Sequence, residues 1–349
     1  MTVSSTPATL VVGSGGFLGR AVRRAAAATP GADVRAASVP WDDQDAAVEA
    51  LVEAIRGVRT RDAGWRVVWC AGTGVVATGA EVFEAEQQLI ARVLETVEGD
   101  DAAPGTLFFA SSAGAVYAGS SPAPFDEDSE TAPLAPYGRA KLAAEERFRT
   151  WAASTGARLV VGRFSNLYGP GANLGKAQGL VSQLALAHLD GRPSSIYVPT
   201  ETTRDYLYID DAAAMVLDAM DAVETPDHAA TDGTDGARGT DDATTGDTHG
   251  ARDNGGASGT GGASGTAGTT VTKIFASGRS ATISEVVAAV EDAFGEPLDV
   301  RHGADPSATF QGLDLRFASR VLPSVDAREF TDFGQGVRNT VDALRAARA

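Results

Sequence analysis

The chain has a single cysteine in 349 residues, Cys70, so no internal disulfide can form. Cys70 ends the apolar, strand-like run Val67-Val68-Trp69-Cys70, which predicts a buried structural thiol and fits a reducing cytoplasm. No uninterrupted apolar span reaches the roughly 20 residues of a membrane helix. No charged, apolar leader precedes the first strand-like run near residue 8, so a soluble protein without a secretion signal is expected. Positive charge is also scarce. Against 46 Asp and Glu there are 29 Lys and Arg, a net charge of −17, which argues against nonspecific nucleic-acid binding, because that binding needs cations to neutralise phosphates.

What remains is a globular composition. With 43% hydrophobic residues the chain can bury a sizeable core, as one large domain or two intimate ones. The exception runs from 224 to 270. There Gly, Ala, Thr, Ser and Asp dominate and almost no apolar side chain exceeds alanine, too little to offset the entropy of ordering. A disordered insert is predicted, with His228 and His249 as solvated linker residues rather than metal ligands. As a flexible coil it would span roughly 35–40 Å. The flanking patterns, helical over 211–223 and strand-like over 271–276, make it an insertion within a domain, so fold and function should survive its deletion.

Elsewhere periodicity predicts strands at 8–12, 33–38, 66–71, 105–110 and 158–163, and helices at 17–28, 43–56, 80–98 and 136–154. This alternation indicates an α/β, Rossmann-like doubly wound parallel sheet whose ligands bind at the carboxyl ends of the strands. At the first such end, Thr9-Leu10-Val11-Val12 leads into Gly13-Ser14-Gly15-Gly16-Phe17-Leu18-Gly19 and then an alanine-rich helical stretch. Glycines there allow positive φ and close backbone approach, and the helix start offers free N–H groups to a pyrophosphate. At other strand ends lie Ala71 and Gly72, Ser38, and Ser111-Ser112. Tyr137 and Lys141 are four apart in Tyr-Gly-Arg-Ala-Lys and share a helix face. An ammonium beside a phenol favours its ionised form, and such a phenol can take a proton from a substrate hydroxyl while a nearby serine holds the oxygen.

Together these blocks resemble the extended short-chain dehydrogenase/reductase family, in its nucleotide-sugar epimerase and dehydratase branch. Gly13, Gly16 and Gly19 match its GxxGxxG, Tyr137 and Lys141 its YxxxK, and Ser111-Ser112-Ala113-Gly114-Ala115-Val116-Tyr117 its serine segment. Arg163-Phe164-Ser165-Asn166-Leu167-Tyr168-Gly169-Pro170 is similar to RxxNVYGP, and Arg204-Asp205-Tyr206-Leu207-Tyr208-Ile209-Asp210-Asp211-Ala212 to RDYIYVDDVA. The resemblance implies a nucleotide-binding lobe of 1–166, 204–223 and 271–279, and a smaller substrate lobe of 167–203 and 280–349. It implies Tyr137 as acid/base, Lys141 as its pKa-lowering partner and ribose ligand, and Ser112, with Ser111 as the alternative, positioning the reacting oxygen. Asn166, Arg204 and Tyr206 would contact a nucleotide diphosphate, with pairing to neighbouring Asp205 as the alternative role of Arg204. A homodimer follows by resemblance alone.

Three departures bear on the reaction. The position four before Tyr117 is Ala113, leaving the hydroxyl to Ser112. The position that would carry a ribose-binding acid is Ser38, so NAD and NADP both fit; Asp42 and Asp43 read first as helix-capping residues. The segment Phe310-Gln311-Gly312-Leu313-Asp314-Leu315-Arg316 displaces or loses a second arginine. Trp65, Trp69 and Trp151 read as packing residues, and Trp41 is undecided. The expected order of reactions is NAD(P)-dependent epimerase first, keto-sugar reductase or dehydrogenase second, and dehydratase well behind, because Ala113-Gly114-Ala115 holds no carboxyl pair. A non-catalytic NAD(P)-sensing protein is the remaining alternative.

Overall fold

A computed structural model describes residues 7–59, 64–72, 79–100, 105–175, 179–225, 268–303 and 306–348. The predicted insert lies outside the described residues except at its two ends.

The main sheet is parallel, six-stranded and ordered β2-β1-β3-β4-β5-β9. Its strands are β1 (Ala8–Val12), β2 (Val34–Ala36), β3 (Trp65–Trp69), β4 (Gly105–Ser112), β5 (Arg158–Phe164) and β9 (Thr270–Phe275). Side chains alternate across it as a two-sided parallel sheet requires. Leu10, Val67, Trp69, Leu107, Phe109 and Leu159 face one helical layer. That layer is α2 (Gln44–Arg59), α3 (Ala80–Glu98) and α5 (Pro136–Thr155). Val11, Val68, Phe108, Val160 and Phe275 face α1 (Phe17–Ala27) and α7 (Ile209–Glu224) on the other side. Trp65, Trp69 and Trp151 are buried in the core, as their sequence context predicts, whereas Trp41 is 47% exposed.

Most predicted elements form close to their expected bounds. Helix α2 runs three residues past its expected end, to Arg59, and β2 stops at Ala36 instead of running to 38, leaving Ser38 in the connection beyond it. As an edge strand β2 pairs only with β1, over three residues, so nothing holds it extended further. Conversely α2 starts at Gln44 because Asp43 caps it: Asp43 Oδ1 accepts from the N–H groups of Asp45 (3.0 Å) and Ala46 (3.1 Å).

A second lobe surrounds β8 (Thr203–Tyr208), which pairs with β10 (Ser280–Thr282), β12 (Asp314–Leu315) and β6 (Asn166–Tyr168). A short parallel pair, β7 (Ser194–Ile196) with β11 (Val300–His302), lies apart from it. Tyr168, Tyr206 and Tyr208 pack there with α6 (Leu180–Leu189), α8 (Ile283–Phe294) and α10 (Phe333–Ala346). Thus β8 belongs to this smaller sheet while the helix that follows it, α7, packs on the main one. The C-terminal segment is latched to β9 by Lys273, whose Nζ donates to Ser319 Oγ (2.8 Å), Val321 O (2.7 Å) and Asp326 (2.7 Å). Among the described residues no helix is long and apolar enough to cross a membrane.

Candidate active site

The glycine turn is shaped by close approach. Gly13 has φ +78°, and a Cβ there would lie 2.6 Å from the backbone nitrogen of Ala71 at the end of β3. A Cβ on Gly19 would lie 2.2 Å from Gly13 O, and Gly16 N donates to that same oxygen (2.9 Å). Gly16 is the N-cap of α1, with no side-chain cap and no acidic residue in the first turn. The helix start is therefore available to an anion, as the dinucleotide reading needs. Gly15 is different: it is exposed, with nothing within 4 Å of a built Cβ. Ser14 and Phe17 are half-buried, and Leu18 is in the core, so only its backbone faces the turn. We expect Gly13→Ala to cost at least about 1–2 kcal/mol in the left-handed backbone alone and to weaken dinucleotide binding, whereas Gly15→Ala leaves binding intact; calorimetric titration of the two variants checks this.

Arg20, one turn into α1, was not singled out by sequence pattern. Its guanidinium donates to Gly15 O (2.5 Å) and to Gly171 O, tying the glycine turn to the loop after β6. Its position directly after the third motif glycine was the only available signal.

The acid/base end is assembled from α5 and β4. Between them β4 runs into the short α4 (Ala113–Val116), and α5 packs closely on it: a Cβ on Gly138 would lie 2.5 Å from Ala115 O. Tyr137, half-buried, rests its ring against Phe83 (5.8 Å between centroids), and its hydroxyl makes no hydrogen bond to a described residue. Lys141 is 7% exposed; its Nζ donates to Ala110 O (3.2 Å), lies 5.8 Å from the Tyr137 ring centroid and 3.4 Å from where a Gly72 Cβ would be. The ammonium is thus held at the carboxyl ends of β3 and β4, directly beside the ends that carry Gly72 and Ser111-Ser112.

The two serines are distinguished sharply. Ser111 is buried and donates to Glu145 Oε1 (2.6 Å). Glu145 also accepts from Arg163 Nε (3.1 Å) and Arg163 Nη2 (2.8 Å), and Arg163 Nη1 reaches the Tyr117 hydroxyl (2.6 Å). Ser112 is half-buried, and its hydroxyl has no partner among the described residues. Ala113 is fully buried in a separate apolar cluster. Cys70, half-buried at the end of β3, has its thiol pushed up to about 12 by burial, with Lys141 pulling weakly the other way, which suits a structural rather than a reactive thiol.

Asn166, Arg204 and Tyr206 come together on one face of the second lobe, since Asn166 pairs with Tyr206 across β6 and β8. Asn166 Nδ2 donates to Asp205 O (3.1 Å). Arg204 is 7% exposed, donates to Thr203 O (3.0 Å), and ion-pairs with no carboxylate among the described residues; burial lowers its pKa. The expected alternative partner, Asp205, instead accepts from Ser277 N (3.0 Å) and Ser277 Oγ (3.1 Å). Burial pushes the Tyr206 phenol up to about 12, partly offset by Arg204. Leu315 pairs with Arg204 across β8 and β12 and lies 3.7 Å from a built Gly114 Cβ, so β12 laps the loop after Ser112. Arg316 is exposed and paired with Asp314 (2.7 Å). A cavity of ≈ 220 Å³ opens beside Tyr168, Tyr206 and Phe333, but Tyr137, Lys141 and Ser112 do not line it.

A model of the NAD dependent epimerase/dehydratase family matches residues 9–231, more than half of the chain. The chain belongs to that family. Among relatives, a putative UDP-glucose 4-epimerase of Methanocaldococcus jannaschii is 32% identical over 114 residues, covering 33% of this chain and 37% of that protein. A dTDP-4-dehydro-6-deoxyglucose reductase of Escherichia coli is 35% identical over 105 residues, covering 30% and 33%. The matches span about a third of the length of these curated relatives. The UDP-glucose 4-epimerase of Thermus thermophilus, solved with NAD, is 22% identical, with a TM-score of 0.71 over 97% of this chain and 99% of its own. That likeness establishes the NAD dependent epimerase/dehydratase fold through both lobes.

Proposed function

We propose that this chain is an NAD(P)-dependent nucleotide-sugar epimerase, soluble and cytoplasmic. One chain of contacts carries the reading: Gly13 of the pyrophosphate turn abuts Ala71, the adjoining Gly72 leaves room for the buried Lys141 ammonium, and Lys141 lies beneath Tyr137. Gly13, Gly16 and Gly19 would hold the pyrophosphate of a dinucleotide, and Tyr137 and Lys141 would meet its nicotinamide ribose end. The tight Gly13 and Gly19 approaches and the uncapped α1 start fit the pyrophosphate, and Lys141 fits a ribose hydroxyl.

When bound, the nicotinamide supplies a reversible hydride acceptor at a sugar carbon. Tyr137 Oη takes the proton from the sugar hydroxyl at that carbon and returns it after reduction. Lys141, close by on the same helix face, favours the ionised phenol through its charge. Ser112, with its free hydroxyl, steadies the reacting oxygen, while Ser111 is read as a support held by Glu145. Arg204 offers a diphosphate oxygen a buried guanidinium that ion-pairs with no carboxylate among the described residues, and Asn166 and Tyr206 flank it on the same sheet face. Reduction of the keto sugar from its opposite face gives the epimer.

A keto-sugar reductase is the second reading, because the short stretch between β2 and Trp65 resembles the reductase branch of the family. The matched segment of the Escherichia coli reductase points the same way. To separate the two, purify the protein without added nucleotide, identify any dinucleotide released on denaturation by mass spectrometry, and assay UDP- and dTDP-sugars. Retained NAD with sugar interconversion at no net cofactor cost supports the epimerase; an empty site with NADPH-dependent keto-sugar reduction replaces it, and no dinucleotide binding removes both. A homodimer through the neighbouring helices α3 and α5 belongs to the same proposal, and sedimentation tests it.

A further inference from the structure

Of the tryptophans, Trp65, Trp69 and Trp151 are 2%, 2% and 4% exposed, and Trp41 is 47% exposed. Trp41 makes no ring stacking or cation contact with any described residue. The backbone around it is held at several points. Ala37 and Val39 pack against the core, Trp41 N donates to Val39 O (3.1 Å), Asp43 N to Pro40 O (3.0 Å), and Asp43 caps α2. Gln44 Nε2 then anchors the start of α2 to Ala85 O (3.2 Å) on α3.

Its place in the fold puts Trp41 at the ligand-binding edge of the sheet. Ala36, the last residue of β2, pairs in register with Val11, so the connection beginning at Ala37 runs beside Val12 and the glycine turn at the carboxyl edge of the sheet. This is the edge where ligands bind, on the β2 side of the switch between β2 and β3 around β1. There the polar hook for an adenosine ribose is weak: Ser38 stands exposed with no carboxylate, and Asp43 is committed to its cap. Asp42 beside it is exposed, but a carboxylate can take only a polar edge, so the face of the base is left to stacking, for which an indole offers the largest surface.

Resting on the dinucleotide reading above, the structure assigns Trp41 as the platform on which the adenine of the dinucleotide stacks. Because the other tryptophans are buried, quencher-accessible fluorescence comes from Trp41, which makes the assignment testable in the whole protein. AMP, ADP-ribose and NAD protect that emission from acrylamide, and nicotinamide mononucleotide does not. Trp41→Ala weakens NAD and ADP-ribose binding by about 5- to 150-fold in calorimetry, and Trp41→Phe recovers most of the loss. Unchanged NAD affinity in Trp41→Ala, with emission still open to acrylamide at saturating NAD, overturns the assignment while leaving the dinucleotide reading standing. Failure of the wild-type protein to bind NAD or NADP removes both.

Discussion

Tyr137→Phe is expected to lower turnover of the nucleotide sugar by about 10²- to 10⁴-fold, the usual contribution of a positioned acid/base, with little change in dinucleotide affinity. The substitution removes one oxygen and leaves the ring against Phe83. It leaves Lys141 on Ala110 O, so the ammonium stays where it is. The side chain is half-buried and its hydroxyl bonds to no described residue, so folding stability should hardly change. Steady-state kinetics with dinucleotide titration on the same preparation separates the outcomes. Unchanged kcat would move the proton transfer to another group, and lost dinucleotide binding would make Tyr137 a binding residue.

The largest stability effect is expected at Glu145. Glu145→Ala should destabilise the protein by about 3–5 kcal/mol, the range for breaking a buried ion pair by removing one partner. Glu145 is 2% exposed and accepts from Ser111, from both Arg163 Nε and Nη2, and from Arg149 (3.3 Å). Without it Arg163, 7% exposed, keeps among the described residues only the Tyr117 hydroxyl, and its charge stays buried with no counter-charge there. Such a loss is a large share of a typical stability of about 5–15 kcal/mol. Ser111→Ala removes one hydrogen bond from a carboxylate that keeps its arginines, so a loss of about 1–3 kcal/mol is expected. Urea unfolding of the two variants, compared at constant slope, checks the order; equal losses would mean that Arg163 relaxes to solvent when Glu145 is removed.

The two experiments address opposite ends of one helix face. Tyr137, Lys141 and Glu145 follow each other at four-residue spacing along α5, with Lys141 bonded to Ala110 and Glu145 to the adjoining Ser111. The anchoring of α5 to the end of β4 is therefore the same set of contacts that brings the acid/base to the serine turn. Gly138 adds to it, since its missing Cβ lets α5 rest on Ala115 O.

Much of this was legible in the amino-acid sequence because it is local. Strand and helix periodicity placed α3 and the start of α5 at their observed bounds, and the glycines of 13–19 announced a turn that backbone sterics allow to few other residues. The same is true of the Tyr137 to Lys141 spacing, which follows from helix geometry alone. What pattern could not settle depends on partners distant in the chain. Ser112 was ranked ahead of Ser111 by resemblance alone, whereas in the structure Glu145, brought in by α5, engages the Ser111 hydroxyl, and that of Ser112 has no partner among the described residues. Arg204 and Asp205 read as a natural pair, yet adjacent strand residues point to opposite faces, which sends Asp205 to Ser277 and leaves Arg204 beside Leu315. The early end of β2, the reach of Arg20 to Gly171 and the solitary exposure of Trp41 were likewise decided by packing across the sheet edge. Backbone sterics and periodicity act over a few residues, so the order of elements and the chemistry each could carry were local matters; which groups meet depends on contacts between distant segments and emerges only in the folded chain.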